Sequence, residues 1–360
     1  MTNTAPAYES TTDAGGVARR LRDAESIVVL THVKPDGDAI GSSVALARAI
    51  NLRHERSGGS GGAVAPAECW YAAPVPPWTP AMTAGVRTRV VEDNQPVPGV
   101  PEPEAIAIVD TGARSQLGPF LDWLAPRRER TTIVDHHLDG NADLANDLLI
   151  DPTRAAACEI VADVACELLD LDSPAALPAE IAEPLYLGLA TDTGWFRHGN
   201  VTPRVMRLAA DLIEAGADGP KLLGMAYQRE RLARLRLMER ALRSLEVYED
   251  KHLAVMRLTK RDFAETGAAP GDSGGFVDLP QAVERIRVVA LLTEAVEPGP
   301  GGPLTKVSMR SKGIAYEGRE PVDVNAVCQT MGGGGHKLAS GARVALSLDE
   351  TAAKIVEAVS

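Results

Sequence analysis

The stretch TTIVDHH, residues 131–137, decides how this chain is read. Four β-compatible residues, 131–134, run directly into Asp135, His136 and His137. A buried strand that delivers polar ligands at its carboxyl end has this form. Two other stretches repeat it: SIVVLTH (26–32) ends at His32, and AIAIVD (105–110) ends at Asp110. In an open parallel sheet the carboxyl ends of the strands share one crevice, so all three are expected to meet there.

Working outward from these strands, helical spacing appears between them. Ile40, Val44, Ala47 and Ile50 fall on one face of a helix over 40–54. Further helices are expected over 16–24, 119–125, 158–171, 181–191 and 202–215, and one long helix over 221–247. Strands alternating with helices predict an α/β fold with a parallel sheet in the N-terminal domain. The texture changes near residue 250. HLAVMRL (252–258), RIRVVALLTE (285–294) and LTKVSMRS (304–311) read as strands of a smaller α/β C-terminal domain, with EPGPGGP (297–303) as a turn. The expected organisation is a disordered tail over 1–15, a catalytic domain over 16–200, a linker over 201–222 and a substrate domain over 223–360, with the active-site cleft between the two domains. SGGSGG (57–62) is a loop tip, and the Pro-rich stretch 63–103 yields no clear element.

Composition bounds the function. At 360 residues the chain holds about two domains. Its 45% apolar and 24% charged content is that of an ordinary globular protein. A formal net charge of -12 argues against a protein that coats long duplex nucleic acid, which needs clustered Lys and Arg. Cys69, Cys158, Cys166 and Cys328 are far apart, without a C-x-x-C pair, so neither a zinc ribbon nor a disulfide framework is expected. With no apolar run of membrane-spanning length and no leader pattern, a cytoplasmic location is expected.

The residues that carry chemistry cluster at the strand ends. His32-x-x-x-Asp36-x-Asp38 follows the first strand, and imidazole with carboxylates suits Mn²⁺ or Mg²⁺. Gly41 and Ser42 then start a helix whose amino end favours an anion. Pro-Asp-Gly is equally ordinary turn chemistry. Asp110 and Asp192 each read as a ligand or as a helix cap. Adjacent His136 and His137 after Asp135 have few structural uses. Six ligand-type side chains suggest two divalent metal ions, which at a spacing of about 3.5–4 Å can share a carboxylate and an attacking hydroxide. Near the C-terminus, Gly332, Gly333, Gly334 and Gly335 precede His336, and such a run either forms an anion-binding nest or is a plain loop. Arg310 closes the strand VSMR, either as a phosphate fork or as a surface charge. His54 and His252 read as surface residues, and Trp195-Phe196 as core packing or a base stack.

The motifs HVKPDGDAIGS (32–42), VDTG (109–112), VDHH (134–137) and ATDTG (190–194), in that order, resemble those of the DHH phosphoesterase superfamily. GGGGH (332–336) resembles the motif of its associated C-terminal domain. The combination is similar to the nanoRNase type, which acts as oligoribonuclease and pAp phosphatase, and to the related cyclic-di-AMP and pApA phosphodiesterases. This resemblance implies that His32, Asp36 and Asp110 hold one Mn²⁺, and Asp38, Asp110, His136 and Asp192 the other, with Mg²⁺ as the second choice of ion. It implies that Asp135 orients a neighbouring ligand and that His137 contacts the scissile phosphate. Arg310, Gly332, Gly333, Gly334, Gly335, His336 and, more weakly, Arg114 would hold the substrate. The implied partners are short RNA, a dinucleotide or a nucleotide such as pAp, with no membrane and with a homodimer as a compatible assembly.

Rival functions make different demands. Asp110-Thr111-Gly112 and Asp192-Thr193-Gly194 are D-T-G triplets of the kind aspartic proteases use, but those enzymes are all-β and would leave His32, Asp36 and Asp38 idle. A non-catalytic nucleotide sensor would not need every ligand position filled. A RecJ-like exonuclease fits the acidic, modest-length chain poorly. A polyphosphate or pyrophosphate hydrolase shares the metal site but does not call for the glycine–histidine loop.

Overall fold

The computed structural model describes residues 7–58, 66–92, 97, 102–228, 230–295 and 302–359. The chain divides into two units, Met1–Gln228 and Arg229–Ser360. The first contains strands β1 (Ile27–Leu30), β2 (Ala67–Ala72), β3 (Arg87–Val91), β4 (Ala105–Val109), β5 (Thr131–Asp135) and β6 (Asp147–Ile150). Its helices are α1 (Ala14–Arg22), α2 (Gly37–Arg56), the single turns α3 (Thr79–Met82) and α4 (Leu121–Leu124), α5 (Ala157–Leu169), α6 (Ala179–Asp192), α7 (Pro203–Glu214) and α8 (Gly219–Tyr227).

The six strands are all parallel, in the order β3-β2-β1-β4-β5-β6. The order reverses between β1 and β4, and in open α/β sheets ligands bind at such a switch point, outside the carboxyl ends of the strands. The register Leu30↔Ile108 and Val109↔Val134 carries forward to bring His32, Asp110 and Asp135 level on three neighbouring strands. One face of the sheet is covered by α1, α2, α5, α6 and α7 through Leu46, Ile50, Ile160, Leu185 and Leu212. The other is closed by Trp70, Leu117, Phe120 and Leu124. α2 packs on both α5 and α6, and α2 and α6 cross at glycine. A Cβ at Gly41 would collide with the carbonyl oxygen of Pro184, and one at Gly188 with the Cys158 sulfur.

The second unit is a mixed six-stranded sheet in the order β11-β12-β10-β9-β8-β7. It comprises β7 (Glu246–Tyr248), β8 (Leu253–Leu258), β9 (Val288–Glu294), β10 (Thr305–Ser311), β11 (Gly334–His336) and β12 (Ala339–Val344). α9 (Leu232–Arg243), α10 (Lys260–Thr266), α11 (Val324–Gln329) and α12 (Leu348–Ala358) accompany it, over separate cores on its two faces. Among the described residues, no helix is long and apolar enough to cross a membrane.

Four expectations change. The Pro-rich stretch 63–103 contains β2 and β3. β2 reads AECWYA and is buried throughout, so no alternation marks it, and its Glu68 is satisfied by Trp70 Nε1 (2.7 Å) and Arg89. The long helix over 221–247 is instead α8 and α9. Leu222 of α8 is buried in the first unit, whereas Leu237 and Ala241 of α9 are buried in the second, and one continuous helix does not serve both cores. The segment 201–222, read as a linker, is helical and belongs to the first unit, where Val205, Leu208 and Leu212 of α7 face the core. Residues 7–13 are not a free tail: Thr11 and Thr12 N–H donate to Leu148 O, and Ser10 Oγ bridges N and O of Ile150. The loop 57–62 and the turn 297–303 fall largely outside the described residues.

Candidate metal centre and active site

Each side chain of the site is placed by the end of an element. Asp36 caps α2, its Oδ1 accepting from the N–H groups of Asp38 (3.0 Å) and Ala39 (3.1 Å). α2 therefore begins at Gly37 rather than at Gly41. Asp38, in the first turn of α2, is fully buried, and its two oxygens accept from Ala157 N (2.5 Å) and Cys158 N (2.9 Å) at the amino end of α5. The positive end of that helix offsets part of the cost of burying the charge. Asp192 is the last residue of α6. Asp110, directly after β4, has φ of +62°, in the left-handed region that Asp and Asn enter most readily among non-glycine residues.

The triplet after β5 is organised by Asp135. Its buried Oδ1 accepts from His136 N (2.8 Å), His137 N (3.3 Å) and His137 Nδ1 (2.8 Å). Its Oδ2 accepts from the Tyr8 phenol at 2.6 Å. His32 Nδ1 faces the Val33 carbonyl at 2.9 Å and His136 Nδ1 the Arg154 carbonyl at 3.3 Å, so in both rings Nε2 is presented to the carboxylates.

Three sets of side chains bring potential ligand atoms within 4.8 Å of one another: His32, Asp36 and Asp110; Asp38, His136 and Asp192; and Asp110, His136 and His137. His32 Nε2 is 3.3 Å from Asp110 Oδ2, and His136 Nε2 is 3.3 Å from Asp110 Oδ1 and 3.5 Å from Asp192 Oδ2. Asp110 thus stands between the two histidines. Among the described residues, Asp110 Oδ1 and His136 Nε2 are buried and find no hydrogen-bond partner, though they face each other at 3.3 Å. Two orphaned polar atoms, an oxygen and a nitrogen aimed at one point among four carboxylates, fit a divalent cation and little else.

The electrostatics agree with this fit. Burial lowers the His32 imidazole, but bonds and charge from Asp110 and Asp36 more than reverse it, raising it to about 11. His136 is likewise raised to about 10, burial being outweighed by Asp110, Asp38 and Asp192. Burial, then the charges of Asp110 and Asp36, push Asp192 up to about 7, and burial with Asp110 and Asp192 raises Asp38 well above the usual range. Asp135 is held low despite its burial, because His137 and Tyr8 donate to it. Burial and the Asp135 charge keep the Tyr8 phenol protonated.

A cation binds imidazole lone pairs and ionised carboxylates, so it must displace these protons. Below pH 7, Asp192, His136 and His32 all hold them. Above it Asp192 lets go first, and the imidazoles only far higher. Metal binding at pH 7.5 is therefore expected to release protons, with affinity rising with pH. Calorimetry in two buffers of different ionisation enthalpy measures the number released. A count of zero would contradict the raised values.

A cavity of about 300 Å³ opens on these groups, lined by His32, Asp36, Asp110, His137 and Asp192 together with Thr111, Ser115, Gln116 and Asp139. Ser115, Gln116 and Asp139 were not singled out from sequence, and Thr111 was read only as part of the VDTG motif. Arg114 is not in this lining: its guanidinium meets Asp143 at 2.7 Å. Trp195 packs edgewise on the exposed Tyr227, and Phe196 lies tilted against Tyr186. In the second unit a separate depression of about 650 Å³ gathers Arg310, Gly332, Gly333 and Gly334 with Lys306, Ser340 and Arg343. Gly335 and His336 belong to β11, paired with Ser340 and Ala339 of β12, so the glycine run is half strand rather than all loop. A Cβ at Gly333 would collide with the Gly341 carbonyl oxygen, which is why that position lacks one. Arg310 Nε lies 3.3 Å from Asp278 Oδ1.

Comparison with known proteins accords with this geometry. A model of the DHH family, N-terminal domain, matches residues 26–189. Over 345 residues, 95% of this chain and 92% of the relative, the sequence is 31% identical to the bifunctional oligoribonuclease and PAP phosphatase NrnA of Thermus thermophilus. Over 321 residues, 89% of this chain and 90% of the relative, it is 24% identical to the protein of the same name from Bacillus subtilis. The crystal structure of an exopolyphosphatase-related protein from Bacteroides fragilis shares the fold, with a TM-score of 0.74 at 24% identity, over 96% of this chain and 95% of that one.

Proposed function

This chain belongs to the DHH family, and on that premise we propose that it is a two-metal phosphoesterase that hydrolyses short oligoribonucleotides and pAp. The observation that carries this reading is Asp110, buried between His32 and His136 with its oxygens 3.3 Å from the Nε2 atom of each. His32, Asp36 and Asp110 would hold one divalent ion, and Asp38, Asp110, His136 and Asp192 the other, with Mn²⁺ ahead of Mg²⁺ for a mixed imidazole–carboxylate set. Such ions activate water at neutral pH and offset negative charge developing around phosphorus.

The chain's own residues do the rest. Asp135 holds His137 by Nδ1, which leaves Nε2 for a phosphate oxygen. The same bond raises the imidazole's pKa, so that it can donate at both nitrogens. Val33 O and Arg154 O fix the other two rings, so the ligand geometry is set before substrate arrives. Thr111, Ser115 and Gln116 offer hydroxyl and amide donors along the cavity wall. On the second unit, the depression with Arg310, Gly332, Gly333 and Gly334, and His336 beside it, offers guanidinium and backbone donors to a phosphate or base. With a net charge of -12, the chain would draw the positive charge that a phosphate substrate needs mainly from bound ions.

The test is nucleotide release by the purified protein with Mn²⁺ from pAp, pApA, cyclic-di-AMP and an RNA of about two dozen residues. Release from the short substrates, abolished by EDTA and restored by Mn²⁺, is expected. Release from none of them, with Mn²⁺ bound, would sink the nucleotide reading. Pyrophosphate and polyphosphate would then be the substrates to try.

A further inference from the structure

We propose that Tyr8 is a positioning residue for His137, acting through Asp135, and that residues 7–13 form a strap that belongs to the active site. The segment shows no periodicity, yet the structure fastens it at both ends. Ser10 Oγ accepts from Ile150 N (2.7 Å) and donates to Ile150 O (2.8 Å). Thr11 Oγ1 accepts from Leu148 N (2.9 Å), and Thr11 N donates to Leu148 O (2.8 Å). Asp13 caps α1, its Oδ1 accepting from Gly16 N at 2.7 Å. These bonds tie the strap along β6, and Tyr8 is what it delivers.

The Tyr8 ring occupies a slot made by two glycines. A Cβ at Gly112 would strike the phenol oxygen, and one at Gly140 would strike the ring. Asn141 N donates to Gly112 O at 2.8 Å, so the two glycine segments are bonded to each other around the ring. In this slot the phenol reaches Asp135 Oδ2 at 2.6 Å. Asp135 is wholly buried, and its other oxygen carries the three donors of His136 and His137. Among the described residues, Tyr8 is the hydrogen-bond donor to Oδ2. Without the phenol a buried carboxylate oxygen has lost its donor, which is costly, and the cheapest relief is rotation of the carboxylate. Rotation moves Oδ1 away from His137 Nδ1. The imidazole, 54% exposed as a side chain, then loses its fixed direction. Tyr8 touches none of the proposed metal-bearing carboxylates through a hydrogen bond, so its loss is expected to spare metal binding.

The effect on turnover rests on the phosphoesterase reading; the effect on His137 does not. The experiment uses the full chain with Mn²⁺, as wild type, Tyr8→Phe, Gly140→Ala and the double variant. Tyr8→Phe keeps the ring in its slot and removes only the hydroxyl. Gly140→Ala leaves the hydroxyl but expels the ring. Each is expected to lower kcat on the best short substrate by about 10- to 100-fold, as loss of an orienting partner does, with KM changed far less. The double variant is expected to be no worse than either single one, since both break the same contact. In ¹⁵N–¹H spectra recorded with diamagnetic Mg²⁺ in place of Mn²⁺, the His137 Nδ1–H signal is expected to shift and broaden in every variant. Wild-type kcat in Tyr8→Phe would overturn the proposal. So would an unmoved Nδ1–H signal beside a lowered kcat, which would mean that Tyr8 acts by another route, or a lowered melting temperature as the sole change. If wild type releases no nucleotide at all, the phosphoesterase reading fails, and the Nδ1–H signal still decides whether Tyr8 holds Asp135 and His137.

Discussion

Asp110→Asn is expected to abolish most turnover while leaving the fold intact. Asn is the informative replacement because residue 110 has a φ of +62°. Asn enters that conformation almost as readily as Asp, whereas Ala would add about 1–2 kcal/mol of backbone strain and confuse the result. The amide removes the charge that faces both His32 and His136. A bound cation contributes several kcal/mol of transition-state stabilisation, and losing about 4 kcal/mol corresponds to a drop of about 10³-fold. In the metal-free protein at pH 7 the substitution relieves repulsion with Asp36, Asp38 and Asp192 but removes the carboxylate that pairs the protonated His32 and His136, so the melting temperature is expected to fall. His32 and His136 also lose the partner that raises them, and their pKa values should fall towards the ordinary imidazole range. A kcat within tenfold of wild type would show that Asp110 does not bridge the proposed ions.

Gly41→Ala is expected to be the most damaging single methyl in the first unit. Its Cβ would be driven into the Pro184 carbonyl oxygen, with Gly188 N 3.1 Å away. Both are backbone atoms of α6, so no rotamer change relieves the clash and the helices must part. Overpacking of this kind costs about 1–3 kcal/mol. For a unit of this size that lowers the melting temperature by about 2–12 °C. The loss should not stop at stability. α2 carries Asp36 and Asp38 and α6 carries Asp192, so parting the helices widens the distance between proposed ligands. Weaker Mn²⁺ binding in a calorimetric titration is therefore expected beside the lower melting temperature. An unchanged titration would mean that the ligands are held from the strand ends alone.

The cluster of proposed ligands was legible because strand ends are. His32, Asp110 and Asp135 each follow an uninterrupted apolar run, and parallel pairing with matched register leaves few other arrangements. His136, Asp38 and Asp192 followed from their neighbours in the same motifs. Tyr8 was not legible: a lone tyrosine in a short polar segment carries no pattern, and its slot is made by glycines at 112 and 140, far along the chain. β2 was hidden for the opposite reason, being apolar on both faces and interrupted by Glu68, whose partners Trp70 and Arg89 explain it only once folded. Arg114 carried a charge suited to phosphate, but Asp143, twenty-nine residues later, takes it. Side-chain pairings of that kind have no periodicity to read.

β6 is the last strand of its sheet, and its free side would otherwise present a row of unpaired amides and carbonyls. The hydroxyls of Ser10 and Thr11 and two backbone amides occupy that row. The strap that presents Tyr8 is therefore also what keeps the sheet from templating a strand of a neighbouring molecule. Colloidal behaviour and catalytic competence then share one short segment: a substitution that frees residues 7–13 from β6 is expected to perturb both at once.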